Sequence, residues 1–136
     1  MEPAETVHHS FRNRVTARDF TPRGLDLTPE DVGLTAAKAV EIFQSQVLSR
    51  QLDRISRKLQ ARGEGFYTIG SSGHEGNAAI AEAFRIDDMA FLHYRDAAFQ
   101  IQRSKKRDGQ TPAWDMLLSF AASAEDPISG GRHKVL

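Results

Sequence analysis

The chain has 136 residues, and its charges balance, eighteen Lys and Arg against eighteen Asp and Glu. That length allows one domain at most, or a piece of a larger one, and the balance leaves no global field to draw the chain to nucleic acid or to a membrane surface. It has no cysteine, which excludes a disulfide framework and thiolate metal sites. No apolar run is long enough to span a bilayer and no signal-peptide core is visible, so a cytoplasmic location is expected.

Residues 1–34 read as an arm. They carry adjacent histidines (His8, His9), scattered arginines (Arg12, Arg14, Arg18, Arg23) and few apolar anchors beyond Phe11, Val15 and Phe20. Such a stretch is expected to be extended or partly disordered, or to lie across a partner. Thr28-Pro-Glu-Asp31 reads as an N-cap, a proline and acids in a first turn, which predicts a short helical turn.

From about Thr35 to Arg62 the spacing predicts a long amphipathic helix, roughly 40 Å by its rise. Val40, Phe43, Val47, Leu48, Leu52, Ile55 and Leu59 recur at three- and four-residue steps and form its apolar stripe. Arg50, Arg54, Lys58 and Arg62 form a basic row, read as a solvated face or as a surface for an acidic partner. Asp53 and Arg57 stand one turn apart and can pair. Gly63 and Gly65 then close the helix.

The next stretch, Gly65-Phe-Tyr-Thr-Ile-Gly-Ser-Ser-Gly-His-Glu-Gly76, is a glycine-studded loop that runs into a helix over 77–84 with alanines on its packed face. Ser72 and Glu75 have capping-box spacing. The loop reads either as a holder for an anion or polar substrate or as a plain connector, and taken alone it favours the connector. Asp87-Asp88 predicts a turn and Met89 to Leu92 a short buried strand. Asp96 is a candidate N-cap for a helix over 97–103, followed by a basic loop (Arg103, Lys105, Lys106, Arg107). Thr111-Pro112 opens a last helix, with Trp114, Leu117, Leu118 and Ala121 on one face. The glycine-rich tail contains nothing that ends a fold, and the chain reads as cut from something longer.

Tyr94 and Arg95 offer a phenol and a guanidinium fork at a helix start, which suits a phosphate. The same pair also reads as a buried tyrosine with a structural arginine bonded to Asp96 or Asp87, and the residues alone favour that. His74 and His93 bracket the region as acid–base candidates or hydrogen-bonding spacers.

From about Arg50 to Arg132, Arg50-Gln-Leu-Asp53, Leu59-Gln-Ala-Arg-Gly63, Gly65-Phe-Tyr67, Gly73-His-Glu75, Tyr94-Arg-Asp96 and Gly130-Gly-Arg132 follow in order. In this the chain resembles the N-terminal part of the alpha subunit of the thiamin-diphosphate-dependent decarboxylating component of 2-oxo acid dehydrogenase complexes. The branched-chain type is the nearest, including forms with alpha and beta regions fused. The resemblance implies a mainly helical segment of an α/β thiamin-diphosphate-binding fold: a long helix, then shorter helices and little strand, over 35–136. It implies that Tyr94 and Arg95 hold the cofactor diphosphate, that Phe66 and His93 line the substrate pocket, and that Gly73-His74-Glu75 shapes the wall beside the cofactor.

The whole reaction implied is oxidative decarboxylation of a 2-oxo acid with acyl transfer to a lipoyl group. Its cofactor is thiamin diphosphate with magnesium, and its partners are a beta subunit or region and a lipoyl acyltransferase within an oligomer. Departures from the family pattern accompany this. The Gly-Asp-Gly and Asn element that holds magnesium is absent, and so is the glutamate that the beta region supplies to the cofactor ring. The loop from Ser104 to Thr111 is longer and more basic, and the family histidine that follows the Gly-Arg segment is expected past the end of this sequence, with His133 not assigned to its place. The segment by itself is therefore expected to be inactive. The alternative from a different class is a small helical interaction module without catalysis.

Overall fold

The computed structural model describes residues 3–20, 27–66, 70, 71 and 73–132. Every regular element among them is helical: α1 (Pro3–Ala17), α2 (Ala36–Ala61), α3 (Asn77–Ala83), α4 (Ala97–Ser104) and α5 (Pro112–Phe120), with 3-10 turns at Glu30–Val32 and His74–Gly76. One long helix followed by shorter ones is what the periodicity predicts. No helix among the described residues is long and apolar enough to cross a membrane. By its contacts the chain divides into two units, Met1–Thr35 and Ala36–Leu136.

The first unit corrects the expectation of an extended or disordered arm, because its described part carries α1. Pro3 sits at the first helical position, Glu5 in the first turn and Arg14 in the last, each suited to the helix dipole at its end. Past the helix, Arg14 Nε lies 3.7 Å from the Asp19 carboxylate. The expected turn near residue 30 forms as a reciprocal cap. The Thr28 amide and hydroxyl donate to Asp31 at 2.7 and 2.8 Å, and the Asp31 amide donates back to the Thr28 hydroxyl at 3.3 Å.

In the second unit α2 is the spine. It ends where Gly63 takes a φ of 75° and the Glu64 amide reaches back to the Leu59 carbonyl at 2.9 Å. Its buried face is Ile42, Ser45, Ser49 and Leu52. Of the predicted stripe Leu52 alone is buried, while Val40, Phe43, Leu48 and Ile55 are exposed. The packed face is thus rotated by roughly a third of a turn from the expected one. The cause is close backbone approach: α3 and α4 meet α2 through the fully buried Ala78, Ala81 and Ala98, and small serines on α2 make room for them.

A buried polar network ties these three helices. Gln102, on α4 and with 0% of its surface exposed, accepts from the Ser45 hydroxyl at 2.7 Å. Its amide donates to Glu41 at 2.9 Å and to Glu82 at 2.7 Å. Lys38 bridges the same two carboxylates at 2.9 and 3.3 Å. Around the network lie Phe99 and Ile101, with Phe84 set edge-on to Phe99 at 5.6 Å between ring centres.

The turn after α3 forms as expected, with Asp88 accepting from the Arg85 amide at 2.8 Å and from its guanidinium at 2.9 and 3.0 Å. The buried strand does not. Residues 89–92 belong to no ladder, and Met89 and Phe91 are 80% and 94% exposed. The basic loop works inward rather than outward. Arg103 donates to the carbonyls of Ile86 and Asp88, Lys105 to that of Glu41, and Lys106 to those of Glu82 and Phe84. Arg103 and Lys106 thereby hold carbonyls at the end of α3 and in the turn after it, where helix ends leave carbonyls without intrahelical donors.

α5 starts as predicted, with Thr111 as N-cap and Pro112 at the first position. It brings Phe120 against Gly65, where an added Cβ would stand 2.0 Å from the ring. Any larger residue would push α5 away. In the tail the Asp126 carboxylate gathers the amides of Ile128 and Ser129 at 3.1 and 3.2 Å, so a compact turn lies beyond α5. Ser72, Tyr67 and His133 lie outside the described residues.

Candidate functional site

The loop before α3 is held by one carboxylate. Glu75 accepts from Arg50 at 2.8 Å, from the Ser71 hydroxyl at 2.6 Å and from the Gly73 amide at 2.8 Å. Gly73 takes a φ of 93°, a conformation open to glycine, which lets its amide fold back onto the side chain two residues ahead. Burial pushes the Glu75 carboxyl up, but the Ser71 hydroxyl, the backbone amides and the Arg50 charge outweigh it and hold it below the ordinary range. Arg50, the first of the basic row, is thus an internal partner rather than a solvated charge. The expected pair of Asp53 and Arg57 forms at 3.0 Å.

A second carboxylate joins this loop to the start of α4. Asp96 accepts from the His93 amide at 2.7 Å, from the Asn77 side chain at 2.5 Å and from His74 Nδ1 at 3.2 Å. Burial acts to raise its pKa, and these donors together bring it below the usual value. The His74 and His93 rings stack at 5.6 Å, and His93 lies 3.7 Å from the Tyr94 ring. Asp96 stands at the N-cap position of α4 without capping it by a side-chain bond. It fixes Tyr94 and Arg95 instead.

Arg95 lies 5.1 Å from the Tyr94 ring centre, a cation–π approach, and its Nη1 donates to the carbonyl of Gly70. The bonds to Asp96 or Asp87 considered for it do not form. Both side chains face a cavity of about 60 Å³ between α2, α4 and α5, with Ser49, Ser71 and Asp53 on its polar side and Leu52, Leu117 and Phe120 on its apolar side. The Ser49 hydroxyl is 2% exposed and has no hydrogen-bond partner among the described residues. An unmet buried hydroxyl costs about 1–3 kcal/mol, so a ligand or ordered water in the cavity would be favoured.

With this geometry in place, comparison with known proteins gives one relative. The chain is 33% identical over 104 residues to the 2-oxoisovalerate dehydrogenase subunit alpha of Bacillus subtilis (strain 168). The match takes in 74% of this chain and 29% of that subunit, so the chain spans under a third of the relative's length. No protein-family model matches the chain, and no solved structure matches it.

The structure brings His74, His93, Tyr94 and Arg95 together, within one knot of loops that Asp96 and Glu75 tie. Phe66 is 64% exposed and is not among the residues lining the cavity. The donors around Arg95, a guanidinium with phenol and serine hydroxyls, suit the oxygens of a diphosphate. Among the described residues no group of three or more His, Cys, Asp or Glu could hold a metal ion. Sequence reading missed Ser49 and the joining role of Asp96. The available signal for Ser49 was a pair of serines, Ser45 and Ser49, one turn apart and in line with Leu52.

Proposed function

We propose that this chain is an N-terminal segment of the alpha region of a branched-chain-type 2-oxo acid dehydrogenase component, and that Tyr94 and Arg95 grip the diphosphate of thiamin diphosphate. The observation that carries the reading is the placement of Arg95 and Tyr94, locked by Asp96 onto a cavity with hydroxyls and, among the described residues, no carboxylate bonded to Arg95. The likeness to the 2-oxoisovalerate dehydrogenase subunit supports the same family. When bound, thiamin diphosphate supplies the electron sink for decarboxylation, and the chain supplies binding and orientation. Beside that site His74 and His93 form one wall, and Phe66 is exposed where a substrate side chain would be covered. The magnesium ligands, the beta region and the lipoyl acyltransferase are supplied by other polypeptide, in an oligomer, so no turnover is expected from this chain alone.

Calorimetric titration of thiamin diphosphate with magnesium into the complete enzyme, with its beta region present, tests the reading. A hydrogen bond to a charged group is worth roughly 1.5–3 kcal/mol, so Arg95→Ala should weaken affinity by about one to two orders of magnitude. Arg95→Lys should recover part of that, because an ammonium cannot reproduce the planar fork. Phe66→Ala should leave cofactor affinity nearly intact. An Arg95→Ala protein that binds as tightly as wild type returns Arg95 to a purely structural role, and the non-catalytic helical module becomes the better account.

A further inference from the structure

The geometry points to Ser49 as a third donor, with Tyr94 and Arg95, of an oxyanion subsite in the cavity between α2, α4 and α5, taking a phosphoryl or pyrophosphoryl group. This deepens the thiamin-diphosphate reading and rests on it for the identity of the ligand, but not for the existence of the subsite. Three observations meet here.

The Ser49 hydroxyl is buried, lines the cavity and has no partner among the described residues. Position 49 is internal to α2, where alanine has the higher helix propensity, so neither packing nor helix formation calls for a hydroxyl. The second observation is the guanidinium. Arg95 lines the cavity, and among the described residues its side-chain hydrogen bond goes to the Gly70 carbonyl through Nη1, one of the several donors that a guanidinium carries. The third is charge and room. Asp53, which also lines the cavity, is compensated by Arg57 at 3.0 Å, so the wall carries no unpaired negative charge to repel an anion. The cavity measures about 60 Å³, where one water needs about 10–15 Å³, so a group with several oxygens has space. Ser49 on α2 and the Tyr94-Arg95 pair before α4 thus line one cavity whose wall is otherwise mostly apolar. Ser45, one turn earlier on the same face, is already engaged with Gln102 and takes no part.

Inorganic pyrophosphate is the probe, titrated into the full chain at constant ionic strength set with sodium chloride and followed by thermal unfolding and by phosphorus NMR. The wild type should show a pyrophosphate-dependent rise in Tm that matched chloride does not give. Ser49→Ala should unfold at or above the wild-type Tm without ligand, since it gives up no hydrogen bond, and should bind pyrophosphate about tenfold more weakly. Wild type with no pyrophosphate-specific stabilisation overturns the subsite. Ser49→Ala with undiminished affinity overturns the part assigned to Ser49.

A second arm repeats the titration with thiamin diphosphate. If pyrophosphate binds through Ser49 and thiamin diphosphate does not, the dehydrogenase reading fails while the oxyanion subsite stands. If both ligands bind and Ser49→Ala is without effect, the subsite role of Ser49 fails while the dehydrogenase reading stands.

Discussion

Glu75 and Asp96 each gather three donors, and between them they set the backbone around His74, His93, Tyr94 and Arg95. Ser71→Ala removes a 2.6 Å bond to a charged acceptor from a residue that is 4% exposed, so it should cost about 1.5–3 kcal/mol in chemical denaturation. A change within a few tenths of a kcal/mol would mean that Arg50 and the Gly73 amide suffice. Both carboxyls have folded pKa values below their ordinary ones. A depressed folded pKa contributes stability that is present above the unfolded pKa and lost as pH falls through the folded one. Stability should therefore decline below the ordinary carboxylate range, at about pH 4, and Glu75→Gln should flatten that acid limb. An unchanged acid limb in the variant would place the titration elsewhere. The sequence revealed Glu75 as a residue that reaches back. Capping-box spacing points to Ser72, which lies outside the described residues, and among those described Glu75 accepts from the Gly73 amide beside the 3-10 turn at His74–Gly76.

At the scale of elements, length and boundaries were legible and the facing was not. Periodicity, cap residues and proline and glycine punctuation located α2, α3, α4 and α5 closely, because those signals act on local backbone. The apolar count chose the wrong face of α2 because close approach selects small residues, and a periodicity argument does not weigh Ser45 and Ser49 as core. The extended reading of the arm failed on the same ground: apolar content does not register the dipole-matched ends of α1. Residues 89–92 are apolar enough for a strand, but a ladder needs a partner that no described residue supplies. The role of Gln102 could not be read from sequence either, since its partners lie 57, 61 and 20 positions away. Gln102→Leu would leave the Ser45, Glu41 and Glu82 sides of the network without it, with two carboxylates facing an apolar group. A loss of about 2–4 kcal/mol is expected in denaturant unfolding. A variant as stable as wild type would show that Lys38 alone neutralises the pair and that the amide contributes shape only.

The molecule as a whole leaves much apolar surface uncovered. On α2 the outer row of Val40, Phe43, Leu48 and Ile55 is between 38% and 56% exposed, and Met89 and Phe91 are more exposed still. Exposed apolar patches of more than a few hundred Å² mark interfaces on soluble proteins. The row repeats along one side of a 26-residue helix, so two copies of the chain can lay these rows against each other as paired helices do. Self-association that strengthens with concentration is therefore expected of the isolated chain. Sedimentation velocity across a hundredfold dilution series should show the mean mass rising above that of a monomer. The double variant Phe43→Lys with Ile55→Lys places two charges in the row at exposed positions where lysine suits a helix. It should shift the chain toward monomer while leaving the helical circular dichroism unchanged. Wild type that stays monomeric throughout and unfolds in one sharp transition would show that the exposed row is tolerated as bare surface. Variants that associate as strongly as wild type would move the contact to the Met89 and Phe91 side.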